Sequence, residues 1–202
     1  MRDQWYGDKR DIVKWATLVH LAREQAIKTI FWVVFYRPDD KPEPLRFGKQ
    51  TFEIPTEVWQ HFRNIRHIKR LQKATNLKIK IFREPWGKGK DRRSSYIKRA
   101  TQKLSAGRRG RAVVLLDPDT GISTEDSEKH VSNEAVGKIY RALRTGDTLV
   151  LYQHAQRYNK DWHETTRKRF ADAIEIPVEK ARMVQSKIAS DVAFFVATKS
   201  TK

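Results

Sequence analysis

Apolar residues along the chain recur at two alternating periods. Ile12, Trp15, Ala16, Val19 and Ala22 recur at helical spacing, with Asp8 or Asp11 placed as an N-cap. Residues 30–35 are continuously apolar, β-branched and aromatic, the pattern of a strand buried on both faces, and Pro38 ends it. Pro55 and Thr56 open a second helix with Val58, Phe62, Ile65, Ile68 and Leu71 on its apolar face. Leu77, Ile79 and Ile81 alternate with Lys78 and Lys80, which predicts a half-exposed strand. A third helix follows Ser94, with Ile97, Ala100 and Leu104 on one face and Gly107 past its end. Residues 112–116 form a second apolar run, and Ser132 caps a fourth helix (Val136, Ile139, Tyr140, Leu143) that stops at Gly146. Residues 148–152 make a third apolar run, and Trp162, Thr166, Phe170 and Ala173 mark a fifth helix. Two strands, about 181–185 and 191–197, close the chain.

Strand and helix alternate, the central strands are continuously apolar, and a short turn joins the last two strands. This order predicts one α/β domain over residues 1–202, a Rossmann-like, doubly wound, mostly parallel sheet with an antiparallel C-terminal edge strand. Ligands of such sheets bind outside the carboxyl ends of the strands, so the segments after Phe35, Leu116 and Tyr152 are where chemistry is expected.

Charge changes the picture. With 42 Lys+Arg against 24 Asp+Glu the formal net charge is +18, and a polyanion such as DNA or RNA is the expected partner. Half of the excess lies in a basic loop-helix-loop segment at 86–111. From Lys88 to Arg111 ten bases (Lys88, Lys90, Arg92, Arg93, Lys98, Arg99, Lys103, Arg108, Arg109, Arg111) face one acid, Asp91. Flexible Lys and Arg side chains suit phosphate contacts, and Trp86 and Tyr96 are placed to stack on unpaired bases or to pack in the core. The chain has no cysteine, which excludes disulfides, zinc–thiolate sites and cysteine nucleophiles. No apolar run approaches the length of a membrane span, and the N-terminus has no signal-peptide pattern, so a cytoplasmic protein without membrane contact is expected.

Three segments carry candidate chemistry. Asp117-Pro118-Asp119-Thr120-Gly121 follows a buried strand directly, where carboxylates can hold a divalent metal, orient an amine, act as a base, or simply close an Asx-type turn. Tyr152-Gln153-His154 ends the next strand, with Arg157 beyond it, and His154 is a candidate metal ligand or proton shuttle. The N-terminal stretch 4–14 is dense in aromatic and charged residues ahead of the first helix.

The set Asp3-Gln4-Trp5-Tyr6-Gly7-Asp8 with Asp11 and Lys14, then Asp117 to Gly121, then Tyr152 to His154 with Arg157, resembles an uncharacterised bacterial family of about this length. That family carries D-Q-W/Y-x-G-D, D-P-D-x-G and Y-Q-H motifs. Gly7-Asp8-x-x-Asp11-x-x-Lys14 is also similar in spacing to the G-N-x-x-D-x-x-K segment that opens bacterial adenine-N6 methyltransferases of ribosomal RNA. In those enzymes an Asp-Pro motif at the end of a later strand holds the target amine. This second resemblance implies a methyltransferase-like domain acting on nucleic acid. S-adenosylmethionine would lie beside Gly7, Asp8, Asp11 and Lys14, Asp117 would sit at the reacting centre, and Lys88, Lys90, Arg92, Arg93, Arg108, Arg109, Arg111 and Arg157 would meet phosphates. After Phe35, however, the chain reads Tyr36-Arg37-Pro38-Asp39-Asp40 with no glycine-rich loop, and Asp119-Thr120 replaces Pro-Tyr. Both departures favour a rival reading, a nuclease in which Asp117, Asp119 and His154 hold Mg²⁺ or Mn²⁺ and activate water. The third reading is a nucleic-acid-binding protein without turnover.

Overall fold

The computed structural model describes residues 7–37, 45–47, 50–52, 68–106, 110–156 and 161–201. In chain order these form α1 (Lys9–Glu24), β1 (Thr29–Val33), β2 (Leu45–Phe47), β3 (Gln50–Phe52), α2 (Ile68–Thr75) and β4 (Lys78–Phe82). There follow α3 (Lys90–Ser105), β5 (Ala112–Leu116), β6 (Gly121–Ser123), β7 (His130–Ser132), α4 (Asn133–Arg141) and β8 (Thr148–His154). The chain then runs through α5 (Trp162–Ala173), β9 (Arg182–Val184) and β10 (Val192–Thr198). The expected second helix is described only from Ile68 onward; its proposed start at Pro55 lies outside the described residues.

Six strands form one sheet in the order β4-β1-β5-β8-β10-β9. β4, β1, β5 and β8 are parallel, while β10 runs antiparallel to both of its neighbours. The reversed strand is therefore interior, and β9 takes the edge, which corrects the expectation of an antiparallel edge strand. The short pairs β2–β3 and β6–β7 were not anticipated; three-residue strands carry no usable periodicity.

The apolar runs explain the layering. Side chains alternate across the sheet, so Phe31 and Val33, Val114 and Leu116, and Leu149 and Leu151 pack on the face covered by α3, α4 and α5. Ile30 and Trp32, Val113 and Leu115, and Val150 pack on the opposite face, under α1 and the start of α2. A strand buried on both faces needs apolar residues at every position, which is why these runs do not alternate with polar residues. β4 has a neighbour on one side only and is half exposed, as its alternation requires.

Two helices depart from expectation. Ile12 is 59% exposed, and the buried face of α1 runs instead through Asp11, Lys14, Trp15, Leu18, Leu21 and Ala22. α3 starts at Lys90, a turn before Ser94, and its N-cap is Gly89 at φ 87°, a conformation that glycine adopts without steric cost. Capping by Ser132 is as expected: its Oγ accepts the N–H of Ala135 at 3.1 Å. α4 ends at Arg141, ahead of Gly146.

At the end of the sheet where the parallel strands begin, Asp147 is fully buried. Its carboxylate accepts the N–H of Ala112 at 2.8 Å and that of Arg144 at 2.8 Å, stitching the start of β5 to the turn before β8. Asp147→Ala leaves both donors without their acceptor and should lower unfolding stability by about 2–4 kcal/mol, read from urea denaturation.

Candidate functional site

The site lies at the opposite end, where β1, β5 and β8 finish. The chain passes from β1 outward to β4, then crosses back to β5 on the other side of β1, so the connections diverge between β1 and β5. Crevices at such divergence points are the usual ligand sites of open α/β sheets. A cavity of about 380 Å³ opens there, walled by the first turns of α1 (Asp8, Arg10, Asp11, Lys14), by Arg37, by residues 117–120, by Lys129, and by Tyr152, His154 and Ala155.

Its floor is a buried charge network. Lys14 Nζ, 3% exposed as a residue, contacts Asp11 Oδ1 at 2.6 Å and Asp117 Oδ2 at 2.9 Å. Trp32 Nε1 donates to the same Asp117 Oδ2 at 2.9 Å, and the Lys14 ammonium lies 5.7 Å from the Trp32 ring and 5.1 Å from the Tyr152 ring. Burial opposes the Lys14 charge, but Asp117 and then Asp11 outweigh it and hold the pKa above the ordinary lysine value. Lys14 is thus a fixed cation at neutral pH, not a base. Burial pushes the Asp11 carboxyl up, the Lys14 ammonium pulls it down and Asp117 pushes it up again, with a net rise. The other Asp11 oxygen accepts the Gly7 N–H at 2.6 Å, while Asp8 caps α1 by accepting from Arg10 and Asp11.

Asp117, 2% exposed, has one oxygen fixed by Lys14 and Trp32. Its Oδ1 makes no hydrogen bond among the described residues, and the side chain forms part of the cavity wall. Asp119 is ion-paired with Arg37, which crosses the divergence point from the end of β1. Arg10 donates through Nε to Asp191 Oδ2 at 2.9 Å and through Nη1 to Asp8 at 3.1 Å, closing the α1 side.

Gln153 joins two of the sequence motifs into one unit. Its Oε1 accepts the Ile122 N–H, and its Nε2 donates to the carbonyls of Thr120 and His154, each at 2.9 Å. Gly121 sits at φ 117°, and a Cβ there would overlap the Gln153 amide, so this glycine is required both by conformation and by space. Tyr152 Oη and His154 Nε2 are 2.8 Å apart. Burial raises the Tyr152 pKa, with Lys14 opposing, and the phenol stays protonated at neutral pH. Burial, helped by Arg10, lowers that of His154.

Asp8, Asp11, Lys14, Asp117, Asp119 and His154 therefore line one cavity, although they are spread over 147 positions from Asp8 to His154. Gly7 stands just outside it, bonded to Asp11. Asp11 and Lys14 satisfy each other and Asp117. Arg10, Arg37 and Lys129 line the cavity and were missed; only Arg37, directly after an apolar run, had a positional signal in the sequence. The basic segment is divided. Lys88, Lys90 and Arg92 are exposed near the start of α3, toward the cavity end. Arg93 donates to the carbonyls of Gly87 and Asp126 and lies over Trp86, so it braces the loop ahead of β7. Arg111 is at the far end of the sheet, donating to the Gln25 carbonyl. Arg108, Arg109 and Arg157 lie outside the described residues. Trp86 and Tyr96 are buried, in contact with Phe35 and each other, so packing displaces the base-stacking role considered for them.

Compared with known proteins, the chain matches no family model, no curated protein and no solved structure. What the geometry defines is a class: an α/β domain with a mostly parallel six-stranded sheet and a polar cavity at the carboxyl ends of its strands. Among the described residues no helix is long and apolar enough to cross a membrane.

Lys14→Ala strands two buried carboxylates beside each other and should cost about 3–5 kcal/mol of stability in urea denaturation. His154 titrates below the ordinary histidine value of about 6.5. Because the unfolded chain binds the proton more readily, its contribution to stability is present above that pH and is lost as pH falls below it. An imidazole NMR titration with a midpoint at or above the ordinary value would contradict the burial assigned to it.

Proposed function

We propose that the chain is a nucleic-acid-binding, methyltransferase-like α/β domain whose cavity receives one amine-bearing base, with Asp117 as the acceptor. The observation that carries this reading is the state of the Asp117 carboxylate. One oxygen is immobilised by Lys14 and Trp32, and the other has no hydrogen bond among the described residues and belongs to a cavity wall. A pre-oriented acceptor held in a cavity wall rewards a ligand N–H and penalises a ligand that displaces water there and leaves it unmet. The cavity volume of about 380 Å³ is of the size that holds a base or nucleoside. The net charge of +18 supports a polyanionic partner, and the strand order, with a reversed strand next to the edge, supports the methyltransferase-like layout.

S-adenosylmethionine fits these residues poorly. Where a glycine-rich loop would let a cofactor approach the end of β1, Phe35 is buried at φ 48° with its ring against Trp86 and Tyr96. Arg37 then spans the crevice to Asp119. The nuclease reading lacks a metal site of its own: the Lys14 ammonium already stands between Asp11 and Asp117, and Arg37 neutralises Asp119. Among the described residues no group of three or more His, Asp or Glu side chains is arranged to hold a metal ion.

Calorimetry with AMP against IMP, and CMP against UMP, tests the reading. The amine-bearing nucleotide of each pair should bind at least about ten-fold tighter, on the scale of one buried hydrogen bond to a charged group. Asp117→Asn, which keeps the shape, should shrink that preference. Equal affinity within both pairs would overturn the assignment of Asp117.

A further inference from the structure

The two ends of the sheet differ in charge. Among the described residues of the cavity wall four acids (Asp8, Asp11, Asp117, Asp119) meet four bases (Arg10, Lys14, Arg37, Lys129), a formal balance of zero. The opposite end is where β4, β1, β5, β8 and β9 begin and β10 finishes. Lys78 opens β4, Lys28 precedes β1, Arg111 precedes β5, Lys199 follows β10 and Arg182 opens β9. Asp147, before β8, is the one acid at these six strand ends, and it is buried and bonded to backbone N–H groups. Glu24 offsets Arg182 at 3.9 Å. Lys28, Lys78 and Arg111 are exposed and have no ion-pair partner among the described residues.

We propose that the phosphate backbone of a nucleic acid docks on this amino-terminal edge of the sheet, remote from the cavity. The inference rests on the nucleic-acid reading above and gives it a surface. Lys78, Lys28 and Arg111 stand on the adjacent strand ends of β4, β1 and β5, so at about 4.8 Å per strand they make a row about 10 Å long, roughly three base pairs of rise, while the Lys199 ammonium donates to the carbonyls of Tyr140 and Arg141. Each cation is carried on backbone already fixed at the end of a strand, so backbone freedom is not lost when phosphates arrive and the ordering cost is that of the side chains alone. α3 links this row to the cavity, since its length of about 24 Å runs from Lys90 near one edge to Lys103 near the other, with Lys98 and Arg99 exposed between them. A membrane surface is the less suitable partner. Among the described residues, the exposed large apolar side chains Ile12, Ile81 and Ile188 lie toward the cavity end and Val178 alone is near the basic row, so these residues offer the row little to insert among lipid chains.

The test is fluorescence anisotropy with a labelled 20-nucleotide strand and its duplex, as DNA and as RNA, between 50 and 200 mM salt, with phosphatidylserine vesicles as a separate arm. Lys28→Gln with Lys78→Gln and Arg111→Gln should weaken binding at least about ten-fold at 100 mM salt and lower the log–log salt slope by roughly 0.9 for each duplex contact removed. The Lys28→Gln/Lys78→Gln pair, which spares the Arg111 contact to Gln25, should show the same trend with an unchanged circular dichroism spectrum. Wild-type affinity and slope in both edge variants would overturn the docking surface, as would vesicle binding without oligonucleotide binding. Loss of the AMP preference over IMP bears only on the cavity, so the two readings fail separately.

Discussion

The Lys14 ammonium, shut between Asp11 and Asp117 beneath the rings of Trp32 and Tyr152, ties together elements that sequence separation keeps far apart. Any one of these charges buried alone would be expelled or neutralised, because burial of an unpaired ion costs far more than a domain's net stability allows. Together they form a network that is tolerable only in one geometry, with α1 seated across β1 and β5. The position of α1 then fixes Asp8 and Arg10 at the cavity mouth. The network also leaves Asp117 with one anchored oxygen and one without a hydrogen bond among the described residues, an arrangement that a water-exposed aspartate does not keep.

A second set of constraints builds the wall opposite α1. Gln153 uses its whole amide to hold residues 120–122 against the end of β8, and Gly121 is the residue that lets the amide in. The two motifs 117–121 and 152–154 are therefore one structural unit. Across the divergence point, Phe35 adopts a left-handed conformation uncommon for a bulky side chain, its N–H donating to Tyr96 Oη at 3.0 Å while its ring joins Trp86 and Tyr96. That packing fills the β1 side with aromatic rings and directs the polar chemistry toward β5 and β8.

Charge is organised on the scale of the whole sheet. The cavity balances its acids against its bases, whereas the amino-terminal strand ends are almost wholly basic. A neutral cavity suits a ligand recognised by hydrogen bonds, and a basic row suits one recognised by its phosphates.

The sheet was legible in the sequence because strands buried on both faces leave continuous apolar runs, and 30–35, 112–116 and 148–152 became β1, β5 and β8 with small shifts at their ends. The loops after those runs were expected to gather the polar candidates at one end of the sheet, and Asp117, Asp119 and His154 do line one cavity there. The face of α1 was misread because Asp11 and Lys14, polar by type, counted as surface; their burial depends on a partner 103 residues away that no local period reveals. For the same reason Gln153 gave no sign of its clamp, nor Arg37 of its reach to Asp119. Local periodicity and composition determine which segments become strands and helices and how much charge the chain carries. Which charges are buried together, and which remain exposed on an edge, is decided only when the tertiary structure closes, because pairing energy in a dry interior depends on distances that the linear sequence does not contain.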